Sequence, residues 1–247
     1  MLPLDAYLRE RNRQCLRPAM FQRWRDLLFL HYAIEPAAIR DRVPEPLEID
    51  TYPDADGQEM AWIGLVPFRM EGVRPRFLPG LPGHTAFPET NVRTYVHLAG
   101  RPAVWFFSLD AASGLACRVG RGVFHLPYVH ARMSVEREGR ELQYASKRLS
   151  DGPGLSIQAH VAGEPAPAEP GSLEFFLLER YLLFCTDGNR WFGGNVSHPP
   201  YQSSPVDIVC SEEALVAAAG LPTQRFTHRM FVEGVDVHIG KLHRLEI

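Results

Sequence analysis

A chain of 247 residues, 45% hydrophobic and 22% charged, carries enough apolar material for one large core. Its formal net charge of -3 and pI of about 6.4 lack the basic footprint that binding a phosphate backbone requires, so no nucleic acid partner is expected. No run of about 18 apolar residues occurs and the first residues are too charged for a signal peptide, so no membrane partner is expected either.

The first 20 residues, MLPLDAYLRERNRQCLRP and on, read as a peripheral helix or arm ending near Arg17-Pro18. DLLFLHYAI, Asp26 to Ile34, is apolar enough for a buried strand, and EPAAIRDRVP reads as a short helix with Pro36 at its first position. LEIDTY and MAWIGLVPFRM flank DADG, whose closing Asp-Gly is a hairpin signal. Residues 72–88, rich in proline and glycine, read as a long ordered loop of the kind that forms lids and pocket walls.

FPETNVRTYV, from Phe87 to Val96, reads as a strand. Period-two alternation sets Glu89, Asn91, Arg93 and Tyr95 on one side, with Thr90, Val92, Thr94 and Val96 on the other. The short LAGRP connection joins it to AVWFFSLDA, which has no polar face and must be covered on both sides. AASGLACRVGRG reads as a short helix, with Asp110 as its cap, and VFHLPYVHARMSVE as a strand interrupted by Pro127. RELQYASKRLS and LSIQAHVA are further strands, and GEPAPAEPG (163–171) is a surface loop. Ser172 caps a helix through LEFFLLERYLL, and SSPVDIVC is a strand. A second helix starts at Ser211-Glu212-Glu213 and stops at Gly220, and RFTHRMFVEGVDVHIGKLHRL closes the chain as two strands. With about ten strands and few short helices, the class is mainly antiparallel α+β in a single domain spanning 1–247.

Signatures for a nucleophile elbow, a P-loop, a dinucleotide fold and a zincin are absent. The cysteines form no CxxC pair, and His125 with His130, like His238 with His243, falls on opposite faces of a strand. No metal site and no cofactor is therefore expected, and free thiols fit a cytoplasmic protein. His31 reads as a satisfied core histidine.

The polar side of FPETNVRTYV is the most informative place in the chain. A half-exposed strand would put Glu89, Asn91 and Arg93 in water, but the doubly covered neighbour places the strand deep in the sheet. Enclosed, Glu89 and Arg93 lie about 13 Å apart along the strand, too far to pair, so each needs another partner or a ligand between them.

WRDLLFLHYAI, VPEPLEIDTY, AWIGLVPFRMEGVRPR, FPETNVRTYV, GVFHLPYVHARM and LERYLLF together resemble the YqjF-like family of uncharacterised bacterial proteins. That resemblance implies the acetoacetate decarboxylase-like superfamily: a β-barrel or cone with a central pocket and short flanking helices. In that superfamily a Gly-Arg-Glu stretch leads to a Phe-Pro-Lys whose lysine forms a Schiff base. Gly120-Arg121-Gly122 and Leu126-Pro127-Tyr128 stand in those places here, so Tyr128 replaces the lysine and decarboxylation through an imine is not expected. By the same resemblance Glu89 corresponds to the pocket glutamate. The expected site is Glu89 and Tyr128 as proton-moving groups, with Asn91, Arg93 and Arg121 holding a small oxo- or carboxy-acid. A binding module without chemistry, and a structural sheet with internal salt bridges, are the competing readings. The expected partner is a small organic acid, and a homo-oligomer is compatible with the sequence.

Overall fold

The computed structural model describes residues 1–13, 15 and 17–246. Helix α1 (Leu4–Arg11) precedes β1 (Met20–Ile34), a 3₁₀ helix (Pro36–Arg42), β2 (Glu48–Ile49), β3 (Tyr52–Pro53), β4 (Glu59–Pro75), β5 (Phe87–Leu98) and β6 (Arg101–Ala111). Helix α2 (Gly114–Val123) leads to β7 (Tyr128–Glu138), β8 (Glu141–Arg148), β9 (Gly154–Val161) and β10 (Ala166–Pro167). Helix α3 (Leu173–Leu178), β11 (Leu182–Thr186), β12 (Trp191–Ser197), β13 (Gln202–Glu213), α4 (Leu215–Ala218), β14 (His228–Ile239) and β15 (His243–Arg244) complete the chain. Among the described residues no helix is long and apolar enough to cross a membrane.

The strands form one sheet in the order β10-β13-β9-β8-β7-β6-β11-β12-β14-β1-β4-β5-β2, and further β13–β14 and β5–β6 pairings close this path on itself as a ring. Pairing is antiparallel except where β6 meets β7 and β11, in keeping with the mainly antiparallel α+β expectation. Alternation along the long central strands feeds two cores. Leu27 and Phe29 of β1, Val66 and Phe68 of β4 and Tyr95 of β5 pack into one; Leu28, Leu30, Ile63, Leu65 and Val92 pack into the other. This is why β1 and β4 read as unbroken apolar runs: both faces of each strand are covered.

Several boundaries differ from expectation. The helix read through LEFFLLERYLL stops at Leu178, and Leu182–Thr186 is a strand held between β12 and β6. Short apolar runs carry no period that separates helix from buried strand, and sheet pairing decides. Ser211, Glu212 and Glu213 end β13 against β9 instead of opening a helix, which is confined to Leu215–Ala218. The strand expected from Val123 begins at Tyr128, because α2 continues through Val123 and Phe124 and Leu126 both donate backbone hydrogen bonds to the Gly120 carbonyl. His125 and His130 therefore do not share a strand. The 72–88 loop shrinks to 76–86 as β4 and β5 take its ends. Ser113, not Asp110, caps α2, through its side chain and the Ala116 amide.

Candidate functional site

A cavity of about 440 Å³ opens on the first core and is walled by β1, β4, β5, β6, α2 and the 76–86 loop. The polar side of β5 faces into it: Glu89, Asn91 and Arg93 all line the cavity and all are buried. Their polarity is set inside, not toward water, because both faces of β5 are covered: Phe87 and Tyr95 pack into the first core and Val92 into the second.

Glu89 is 2% exposed and accepts a hydrogen bond of 2.9 Å at Oε2 from the Tyr128 hydroxyl. Register explains the meeting. Tyr128 pairs with Leu109 of β6, which pairs in turn with Asn91, so the tyrosine lies two strands from the acidic residue on the same wall. Burial pushes the Glu89 carboxyl from its ordinary 4.5 up to about 8; the Tyr128 hydrogen bond opposes this and the Asp110 charge adds to it. Burial, then the Glu89 charge, holds the Tyr128 phenol well above its ordinary value. Glu89 is therefore mostly a neutral acid at pH 7, a proton donor in an apolar wall.

Arg93 is 8% exposed and has no carboxylate within ion-pair distance among the described residues. Its Nη2 makes only long contacts, 3.3 Å to the Leu177 carbonyl and 3.4 Å to the Tyr95 hydroxyl, and its Nε has no partner. The guanidinium lies over the Phe29 and Tyr95 rings. Between Glu89 and Arg93, Asn91 presents a buried Oδ1 that also lacks a partner. One strand thus offers the cavity a neutral acid, an open amide and an unneutralised cation in succession.

Arg121 stands apart from these. It is exposed on the last turn of α2, does not line the cavity, and donates to the Tyr128 backbone carbonyl at 2.9 Å. Its contact fixes the start of β7. Gly120 contributes more directly: a Cβ there would fall 2.2 Å from Cδ2 of the Tyr128 ring. Gly120→Ala is expected to displace that ring and to lower stability by about 1–3 kcal/mol in chemical denaturation. An unchanged denaturation midpoint would show that the ring has room to spare.

Sequence reasoning missed Arg180, which also lines the cavity. It pairs with Asp50 at 2.7 Å, and Tyr7 donates to both Asp50 oxygens at 2.9 Å. An arginine within the apolar run LEFFLLERYLLF was the available signal, hidden by its reading as a helix interior. Asp110, fully buried, is held by two 2.8 Å bonds from Arg148. His31 lies between the Tyr95 hydroxyl at 2.8 Å and His228 Nδ1 at 3.2 Å, and burial lowers its pKa, so it stays neutral in the core. Lys147 and Lys241 are both exposed and neither lines the cavity.

The chain and its fold have relatives. The chain is 40% identical over 206 residues to the uncharacterized protein YqjF of Bacillus subtilis, covering 82% of each. Among solved structures it is similar to the acetoacetate decarboxylase of Legionella pneumophila, with a TM-score of 0.64 and 12% identity over 95% of this chain and 90% of that one. It is also similar to the enduracididine biosynthesis enzyme MppR complexed with pyruvate, with a TM-score of 0.61 and 14% identity over 95% and 93%. At such identities the likeness carries the fold alone. The family model for an uncharacterized conserved protein, DUF2071, matches residues 21–236, and with the Bacillus relative it shows that the chain belongs to this family, built on an acetoacetate decarboxylase-like fold.

Proposed function

We propose that the cavity binds an oxo- or carboxy-acid, with Arg93 taking the carboxylate and Glu89 exchanging a proton with the bound molecule, without a Schiff base. The observation that carries this reading is Arg93: a buried cation open to a cavity, with no carboxylate partner among the described residues, is costly unless an anion completes it. A guanidinium suits that anion because its paired N–H donors match a carboxylate. Arg180 is already neutralised by Asp50, and Glu89 is mostly uncharged, so the cavity favours a single negative charge.

A carboxyl with a pKa of about 8 populates both of its forms near neutral pH, which suits a group that gives and takes a proton. Tyr128 orients it. An imine has no lysine to form on, since both lysines lie outside the cavity. On this reading the ring of strands acts as the barrel of the superfamily, and the pyruvate bound by MppR is a precedent for oxo-acid binding on the same fold. The four free cysteines fit a cytoplasmic setting.

The test is a thermal-shift series with 2-oxo acids and simple carboxylates, repeated on Arg93→Met. Ligands that bind the folded state should raise the wild-type Tm with concentration and leave the variant unmoved. Borohydride treatment with the same acids should yield no adduct. A covalent product on Lys147 or Lys241 would overturn the lysine-independent reading, and a Tm indifferent to every acid would overturn the binding site.

A further inference from the structure

The polar groups occupy little of the cavity wall. Trp24, Phe29, Phe68, Phe87 and Phe106 and several leucines and valines make up most of the rest. A volume of about 440 Å³ is many times what one water molecule needs, and a pyruvate-sized acid, with only about six heavy atoms, leaves most of it empty. Burial gives the space a direction. Glu89, Asn91 and Arg93 are enclosed, while Leu78 and Leu81 of the 76–86 loop line the same cavity yet are 62% and 60% exposed. Val119 of α2 lines it too and is also left exposed. Large apolar side chains in water around an apolar opening mark a surface that something apolar covers.

We propose that the ligand is an amphiphilic monocarboxylic acid, its carboxylate on Arg93 and its apolar chain of about eight to twelve carbons lying along the aromatic wall toward Leu78, Leu81 and Val119. This rests on the reading of Arg93 as the carboxylate anchor and adds the class of molecule behind the carboxylate. A single anchoring charge fits a monoacid, since a second carboxylate on the chain would be buried among aromatic rings without a partner. Each chain carbon moved from water to this wall adds affinity, so length is the property the cavity selects.

Calorimetric titration of the full chain with butanoate, hexanoate, octanoate and decanoate at pH 7, with octan-1-ol as a neutral control, tests this. The expected result is one site per chain, a Kd that tightens about three- to fourfold per added methylene, and a heat-capacity change growing more negative with length. Octan-1-ol should bind far more weakly than octanoate. Leu81→Asp, at an exposed position that folding tolerates, should shrink the ratio of decanoate to butanoate affinity. A Kd that stays flat or loosens beyond four carbons, with binding still lost in Arg93→Met, overturns the long-chain inference and leaves the anchor standing. Octan-1-ol binding as tightly as octanoate overturns the anchor itself, and no binding by any acid overturns both.

Discussion

Glu89→Gln should be more stable than the wild type at pH 7 and above, with a gap that closes toward pH 4.5. The folded carboxyl has its pKa raised from 4.5 to about 8, so between those values the folded state holds a proton that the unfolded state has released. Stability from this group is fully present below about pH 4.5 and is lost as pH rises toward 8, by at most about 1.4 kcal/mol per pH unit. Glutamine keeps the shape of the neutral acid and an oxygen to accept from Tyr128, but it does not titrate. The wild-type curve should therefore fall relative to the variant through this window, and the difference isolates Glu89 from the other buried groups, such as His31, whose lowered pKa acts in the opposite sense. Paired urea titrations from pH 4.5 to 8.5 measure it. Parallel wild-type and variant curves would mean that Glu89 ionises as in water, and its role as a proton-exchanging group would go with that result.

How much of this site the sequence disclosed differs from residue to residue. Alternation along FPETNVRTYV separated its two faces correctly, yet polarity alone would have turned Glu89 and Arg93 outward. The doubly apolar strand next to it and the family resemblance together placed them inside, and burial agrees. Tyr128 with Glu89 came from resemblance, because 39 residues separate them and only the parallel β6–β7 pairing brings them together. Gly120 was noted only as part of a Gly-Arg-Gly stretch, and its closeness to Tyr128 was not seen. The helix holding Gly120 was legible, but its end and the turn after it, which lay the glycine against the tyrosine ring, were not. Arg121 was assigned to the ligand by resemblance, and the helix turns it outward. Arg180 and Asp50 lie 130 residues apart, a pairing that no local pattern announces.

Arg93→Met carries the sharpest test, because the competing accounts of this residue predict opposite signs. If Arg93 were part of the architecture, its loss would cost stability as other core truncations do, by about 2–5 kcal/mol. The contacts argue otherwise. Its hydrogen bonds to Leu177 and Tyr95 are long, and among the described residues its Nε has no partner and no carboxylate neutralises it. What it gains in the unliganded protein is contact with the Phe29 and Tyr95 rings, worth about 1–2 kcal/mol for a desolvated cation. Against this stands the cost of burying an unpaired charge, which is several kcal/mol. Methionine keeps an unbranched stem of similar reach and fills the space beside the same rings. The variant should be more stable than the wild type by about 1–2 kcal/mol, a Tm higher by about 2–8 °C for a domain of this size. It should lose its response to carboxylic acids in the same experiment. A protein that retains a destabilising cation in a cavity wall does so for what the cation holds, and the gain in Tm with the loss of ligand response would be two readings of that one fact. A Tm that falls instead would assign Arg93 to the scaffold and leave the cavity without its anchor.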